Sequence, residues 1–393
     1  MQCQLRTSSS LHNVLGLVKI DHQPFLFVYK APSMASSSVT AKPKVTQAPV
    51  PMRFVGPLKI SAQAGQYSEG WQEKVSVPLA TYEIPLWHSV GRGARLSTLC
   101  ADGIKTTLID ERMTRSILLE ADDASKALAA WQSMQNRQHE MQAIVAKTSR
   151  FAKLIDMNMQ IVANLLYVRL EFKTGDASGH NMVTQAADKL MEWVLVEYPE
   201  LNYSSISGNY CSDKKATAVN GILGRGKYVV AELTIPRDLC ERKLLTTPEK
   251  VVDLNIKKNL LGTLMAGGLR SANAHFANML LGFYLATGQD AANIIEGSQG
   301  MVHAEVRDGN LYFSCTLPNL IVGTVGNGKG LDFVTDNLAK LGCAADAEAG
   351  ANARRLAQIC AATVLCGELS LLAAQTNPGE LMQAHVKLER NAK

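Results

Sequence analysis

Leu165-Leu166-Tyr167-Val168-Arg169-Leu170-Glu171-Phe172 reads as a strand, with apolar side chains recurring at every second position. A helical stretch around Ala124 to Gln142 precedes it, and a second helix is predicted from about Met182 to Tyr198. Helix and strand therefore alternate from Ser116 to about Ser205, the pattern of a small α+β domain. Farther on come a strand, Tyr228-Val229-Val230-Ala231-Glu232-Leu233-Thr234-Ile235, and a long Ala/Gly/Asn-rich helical stretch from about Val252 to Thr287, whose small residues let helices approach closely. The C-terminal half adds a strand at Leu311 to Cys315 and a helix from about Ala351 to Gln375, ended by Asn377-Pro378-Gly379. No internal repeat is evident.

The 393 residues are 47% hydrophobic and 19% charged, enough to bury a sizeable core in two or three domains. A net charge of +5 is small and dispersed, which argues against nucleic acid and suits a small polyanionic ligand. The 8 cysteines, Cys3, Cys100, Cys211, Cys240, Cys315, Cys343, Cys360 and Cys366, form no CxxC pair and have no zinc-finger histidines, so reduced, buried thiols and no metal site are expected. Near the start, the apolar runs Val14 to Val18 and Phe25 to Tyr29 fall well short of the roughly 18 to 20 residues that span a bilayer. No secretory signal is recognisable, so no membrane association and a cytoplasmic location are expected. Residues 31 to 51, rich in Ala, Ser, Pro, Thr and Lys, read as a linker or a disordered arm, with compact structure beginning near Val50.

The polar loop Ile206-Ser207-Gly208-Asn209-Tyr210-Cys211-Ser212-Asp213-Lys214-Lys215 sets two ammonium groups side by side next to an aspartate. Such lysines repel unless an anion balances them, and one so placed can stabilise an oxyanion; a solvated basic turn is the plainer alternative. Gly323-Thr324-Val325-Gly326-Asn327-Gly328-Lys329-Gly330 lets backbone N–H groups approach a phosphate, or is an ordinary glycine-rich turn; it is neither GxGxxG nor a Walker sequence. Gly221-Ile222-Leu223-Gly224 fits the GxxG of an RNA-binding KH loop, without the charge or flanking elements of that domain. Glu83, Asp290 and His385 stand alone in mostly apolar surroundings, where a cap, a surface charge or a satisfied core group is each residue's ordinary role.

Taken in order, these segments resemble the hydroxymethylglutaryl-CoA reductases from about Val50 to Arg390. The stretches that carry the resemblance are Ser149-Arg150-Phe151-Ala152-Lys153-Leu154, Gly175-Asp176-Ala177-Ser178-Gly179-His180-Asn181-Met182, Ser207 to Lys215, and Asn255-Ile256-Lys257-Lys258-Asn259-Leu260. Asn273-Ala274-His275-Phe276-Ala277-Asn278, Gly288 to Ala292 and Gly367-Glu368-Leu369-Ser370-Leu371 follow. The resemblance implies catalytic roles for Glu83, Lys214, Asp290 and His385, and substrate-binding roles for Arg115, Ser207, Asp213, Lys215, Lys258, Asn278 and Leu372. It implies NADPH contacts at Ser149, Arg150, Asp176, Gly179, His180, Asn181, Met182, Val325 and Gly326, with Arg150 at the 2′-phosphate, and CoA contacts at Arg92 and Arg95. The chain departs from the family where Ile84 replaces a glycine, Ser178 a methionine, Asn327 and Lys329 a glycine and a threonine, and Leu388 a second histidine. An ENVIG-type segment used in dimer assembly has no good match before Val50.

The implied fold is α+β: a large α/β domain around a long central helix, placed near Val252 to Thr287, with a small ferredoxin-like NADPH-binding domain inserted. The implied boundaries are an arm over 1–48, the large domain over 49–116 and 206–393, and the small domain over 117–205. The implied activity is two-step reduction of hydroxymethylglutaryl-CoA to mevalonate with NADPH, in a homodimer or higher homo-oligomer with a shared active site. Lys214 would hold the oxyanion, with Asp290 coupled to both Lys214 and Glu83. A buried, protonated Glu83 would donate to the aldehyde oxygen, and His385 would protonate the departing thiolate. Two rivals are NAD-dependent mevalonate oxidation and a non-catalytic CoA-binding regulatory protein that keeps the fold.

Overall fold

Apolar runs in the first thirty residues pair as an antiparallel hairpin, β1 (Asn13–Ile20) and β2 (Gln23–Lys30), with Asn13 opposite Lys30 and Ile20 opposite Gln23. The computed structural model describes residues 13–20, 23–30 and 46–386, without the side chains of the hairpin, Ala384 and His385. The arm expected over 1–48 thus contains paired strands, since Val14 to Val18 and Phe25 to Tyr29 supply the branched and aromatic residues that strands favour. The Ala/Ser/Pro-rich residues 31–45 lie outside the described set, as do Cys3 and Leu388. Residues 1–49 form one unit and Val50–Lys393 another.

The second unit is organised by β3 (Met52–Ala62), β4 (Trp71–Ala80), helix α1 (Ile84–Leu99) and the 17-residue β5 (Ile104–Glu120). Then come α2 (Ala124–Asn136), α3 (Gln138–Thr148), β6 (Lys153–Val162), β7 (Leu165–Lys173), α4 (His180–Glu197) and β8 (Asn202–Ser205). After them, β9 (Gly226–Ile235), β10 (Met301–Arg307) and β11 (Asn310–Leu320) return to the first sheet, whose order is β10-β11-β9-β5-β3-β4. β5 belongs to two sheets. Lys105–Arg112 pairs antiparallel with β9, whereas Met113–Glu120 pairs antiparallel with β7, and its last residues also pair with β8. The second sheet therefore runs β8-β5-β7-β6, all antiparallel, in the β-α-β-β-α-β sequence of a ferredoxin-like unit. The expected boundary at 116/117 falls inside β5.

Two apolar cores result. Leu166, Val168, Leu170 and Phe172 of β7 join Trp131, Met134, Val183, Leu190 and Val194 in one. The other gathers β3, β4, β9, β11 and α1 around the helix Ala351–Gln375, in which Leu356 and Ile359 to Leu365 have no exposure. That helix is long and apolar enough to cross a membrane, but 94% of its most apolar window is buried within the fold. It, and not Val252 to Thr287, is the long central helix. The latter stretch breaks into Pro248–Leu254, the π-helical Asn255–Gly262, a turn at Thr263–Met265 and, after an extended segment, Phe276–Ala286. Left-handed Gly267 and Arg270 end the first part, and Ala272 bridges to Met301. The seven described cysteines are free and buried, as expected.

α1 crosses the central helix at Gly93, where an added Cβ would lie 2.3 Å from the Cys366 oxygen and 2.5 Å from its Cα. Both atoms are backbone, so the helices must part to admit a methyl. Gly93→Ala is therefore expected to lower stability by about 1–3 kcal/mol, read as an earlier urea midpoint; an unchanged midpoint would show that this crossing tolerates separation.

Candidate functional site

The loop between β8 and the short helix Ala218–Leu223 is held by charges the sequence reading did not single out. Asn209, Ser212 and Lys214 sit at φ 59°, 53° and 56°, a left-handed backbone that residues with a Cβ adopt at a cost their surroundings must offset. At Lys214 the anchor is Glu296, which has no exposure and accepts from the Lys214 N–H at 3.0 Å, from Asn293 Nδ2 at 2.9 Å and from Arg225 at 2.7 Å. Arg225, itself 2% exposed, also pairs with Asp213 at 3.0 Å and donates to Thr114 Oγ1 at 3.1 Å. Burial pushes the Glu296 pKa up against the pull of Arg225.

On this support, Lys214 Nζ meets Asp290 Oδ2 at 2.8 Å. The hydrogen bond to Asp290 raises the lysine's pKa. Burial pushes the Asp290 pKa up, but Lys214 and the Ala292 N–H more than offset it, and the net shift is downward. His180 Nε2 lies 3.7 Å from Asp213; burial first, and Arg225 second, hold its pKa down, which favours the neutral ring. Ser207 Oγ faces Cys211 Sγ at 3.8 Å, Lys215 Nζ donates to the Asp213 carbonyl, and Arg115 Nε is buried without a hydrogen-bond partner among the described residues. This group can hold an anionic substrate and stabilise a developing negative charge.

A second group lies around a cleft of about 680 Å³ lined by Glu83, His88, Arg92, His275, Ser370 and Glu380, among others. Glu83, half-buried just before α1, accepts from Asn278 Nδ2 at 2.9 Å. Buried Glu368 receives the His275 ring at 2.9 Å, and Lys258, whose pKa burial pulls down, feels that carboxylate's charge. Leu372, expected at the substrate pocket, is instead wholly buried in the core; one helical step away, Leu371 lines the cleft. Arg92 binds Glu380 at 2.8 Å and the Leu244 carbonyl at 2.6 Å, while Arg95 is exposed. His385 ends the helix Glu380–His385, and its side chain is outside the described set. Among the described residues no hydrogen bond or ion pair joins the two groups. Asp290 is thus coupled to Lys214 as expected, but Glu83 is held by Asn278.

The segments expected to meet the dinucleotide converge. Thr324 N–H donates to the Asp176 carbonyl at 2.8 Å, and Ala177 bridges to Val325. Gly323 permits this, because a Cβ there would lie 2.3 Å from Ser178 N. The Asp176 carboxylate accepts from Gly350 and Ala353 N–H at 2.9 Å each and so caps the central helix. α4 opens at left-handed Gly179 with no side-chain cap, leaving first-turn N–H groups at His180, Asn181 and Met182 for an anion. Ser149 accepts from Phe151 N–H, and the Arg150 guanidinium lies 4.5 Å from the Phe151 ring centre. Val325 and Gly326 are exposed, with open space beside Gly326.

The sequence model of the hydroxymethylglutaryl-coenzyme A reductase family matches residues 42–390. The 3-hydroxy-3-methylglutaryl-coenzyme A reductase of Pyrococcus abyssi is 45% identical over 345 residues, which are 87% of this chain and 82% of the relative. That of Methanocaldococcus jannaschii is 39% identical over 346 residues, again 87% and 82%. Among solved structures, the class II reductase from Streptococcus pneumoniae, bound to NADPH in open conformations, superposes with a TM-score of 0.65 at 17% identity, covering 86% of this chain and 88% of that one; this likeness bears on the fold alone. With a family match that spans nearly the whole second unit, and relatives this similar over most of their own length, the chain belongs to the hydroxymethylglutaryl-coenzyme A reductase family.

Proposed function

We propose that this chain reduces 3-hydroxy-3-methylglutaryl-CoA to mevalonate and free CoA at the expense of two NADPH, the reaction that commits carbon to isoprenoid precursors. The observation that carries this reading is the Lys214–Asp290 pair on its buried Arg225–Glu296 support. A cation fixed in this way can receive the negative charge that forms on the thioester oxygen, and Asp290 keeps it protonated. Glu83 donates a proton to the aldehyde oxygen in the second reduction, and His385 protonates the CoA thiolate. Arg115, Ser207, Asp213, Lys215, Lys258 and Asn278 hold the carboxylate and hydroxyl of the substrate; Arg92 and Arg95 hold CoA phosphates.

NADPH fits the residues of the small domain, taken as 117–205: the uncapped first turn of α4 suits its pyrophosphate, and exposed Arg150 suits the 2′-phosphate. Bound there, it supplies hydride. His180, Asn181, Met182, Val325, Gly326, Ser149 and Gly179 would hold it, in a cradle that Asp176 shapes through its cap on the central helix. Arg150 favours NADPH over NAD, and hence reduction over the reverse oxidation.

That, among the described residues, no hydrogen bond or ion pair joins Glu83, Asn278 and Lys258 to Lys214 and Asp290 supports a site completed by a second copy, in a homodimer or larger homo-oligomer. Exposed Leu260, Leu261, Leu264 and Met265, at 52%, 52%, 70% and 87%, offer apolar surface for such a contact. A cytoplasmic location goes with this reading. Purified protein given hydroxymethylglutaryl-CoA and NADPH is expected to oxidise about two NADPH per thiol released, as two hydrides per thioester require. CoA binding without turnover of NADPH or NADH would overturn the reading in favour of a regulatory protein.

A further inference from the structure

Two turns meet behind the Lys214–Asp290 pair. One is Thr287-Gly288-Gln289-Asp290, and the other is the glycine loop 323–330. They lie so close that a Cβ on Gly288 would be 2.4 Å from the Gly328 oxygen, and one on Gly328 would be 2.5 Å from the Gly288 oxygen; both glycines are left-handed. Gln289 holds the start of the loop with both ends of its amide, donating to the Gly323 carbonyl at 3.0 Å and accepting from the Gly323 N–H at 2.9 Å. Among the described residues, two side chains hold the far end. Lys329, half-buried, donates through Nζ to the Gly288 carbonyl, while its own carbonyl accepts from Thr335 Oγ1 at 3.2 Å. The same loop reaches the Asp176–Ala177 segment through Thr324 and Val325.

We infer that Lys329 is a positioning residue: by bonding the Gly288 carbonyl it locks the far end of the glycine loop to the turn that carries Asp290, so that the dinucleotide-facing loop and the Lys214–Asp290 pair move as one body. An ammonium group on a lone carbonyl, with no carboxylate partner among the described residues, is an uncommon use of a lysine. Burial alone pulls its pKa to about 8. The inference rests on the reductase reading for its effect on catalysis, but not for the lock itself.

Lys329→Met keeps the apolar stem and deletes the bond. In this variant the protected amides of Gln289 and Gly323 are expected to exchange with deuterium about tenfold faster than in the natural chain. Its kcat is expected to fall about tenfold with KM for hydroxymethylglutaryl-CoA little changed, since geometry and not binding is lost. A looser Asp290 also releases Lys214, which otherwise faces Asp290, Asp213, Glu296 and His180; the alkaline limb of kcat then moves down by about half a pH unit. A merely destabilised protein would leave that limb in place. Lys329→Thr makes the same test should the methionine variant fail to fold. Unchanged exchange at Gln289 and Gly323, or an unchanged kcat and alkaline limb, would overturn the inference. If the natural chain oxidises no NADPH, the reductase reading fails separately, and amide exchange still decides whether Lys329 holds the loop.

Discussion

Lys214→Ala is expected to lower kcat for the thioester by a factor of about a thousand or more, the scale on which removing a fixed oxyanion partner acts. Thermal stability should hardly change. The Lys214 and Asp290 side chains are 41% and 43% exposed, so water and salt screen their attraction, and the pair adds little to folding. Catalysis uses the same pair differently, because substrate would exclude that water. The pH dependence follows in sign. The lysine's folded pKa is raised, so its pairing is complete below the unfolded value and lost as pH rises through the folded one. The folded pKa of Asp290 is lowered, so its share is present above the unfolded value and lost as pH falls through the folded one. Activity should therefore plateau between these limits, with the alkaline limb absent from the alanine variant's residual rate. A Lys214→Ala enzyme within tenfold of the natural kcat would remove this lysine from the chemistry.

The largest loss of stability is expected at Arg225→Met, which should cost about 3–5 kcal/mol in urea unfolding. Arg225 and Glu296 are 2% and 0% exposed in their side chains, so Glu296 cannot regain hydration once its cation is gone. Asp213 loses a partner in the same step, and the backbone bond from Lys214 to Glu296 stands on the same carboxylate. Adding Glu296→Gln should restore part of the loss by removing the stranded charge, giving a coupling between the two sites that separate effects could not produce. A single-variant loss under about 1 kcal/mol would mean that water reaches Glu296 and that the pair is not a support. Activity should fall along with stability in Arg225→Met, since among the described residues the left-handed turn at Lys214 has Glu296 alone as anchor on its N–H.

The alternation in Leu165 to Phe172 and the helix ending at Asn377-Pro378-Gly379 were legible because each repeats a local rule over many residues. The stretch from Val252 to Thr287 misled for the same reason: its composition favours helix throughout, whereas left-handed Gly267 and Arg270 and the pairing of Ala272 with Met301 are decided by tertiary contacts. Lys214 and Asp290 could be matched to the family one by one, but their contact joins residues far apart in the chain, which no local pattern encodes. Arg225 and Glu296 escaped notice altogether. Arg225 stands between Gly224 and Gly226 just before a strand, a weak signal in hindsight, and Glu296 sits in an unremarked short helix. What makes them matter is burial, and burial of a single charge leaves no periodicity to read.

The passage of β5 through both sheets has a consequence for how the chain folds. Lys105–Arg112 must find β9 across the whole inserted stretch, a distant closure that is slow and entropically unfavourable. The inserted unit shortens it, because once Leu118 lies beside Ser205 the remaining connection to β9 is roughly a quarter of its former length, which lowers the closure cost by about 1.2 kcal/mol. Early formation of the small ferredoxin-like unit therefore speeds assembly of the larger sheet around it, and a lesion in the smaller core delays closure of the larger one.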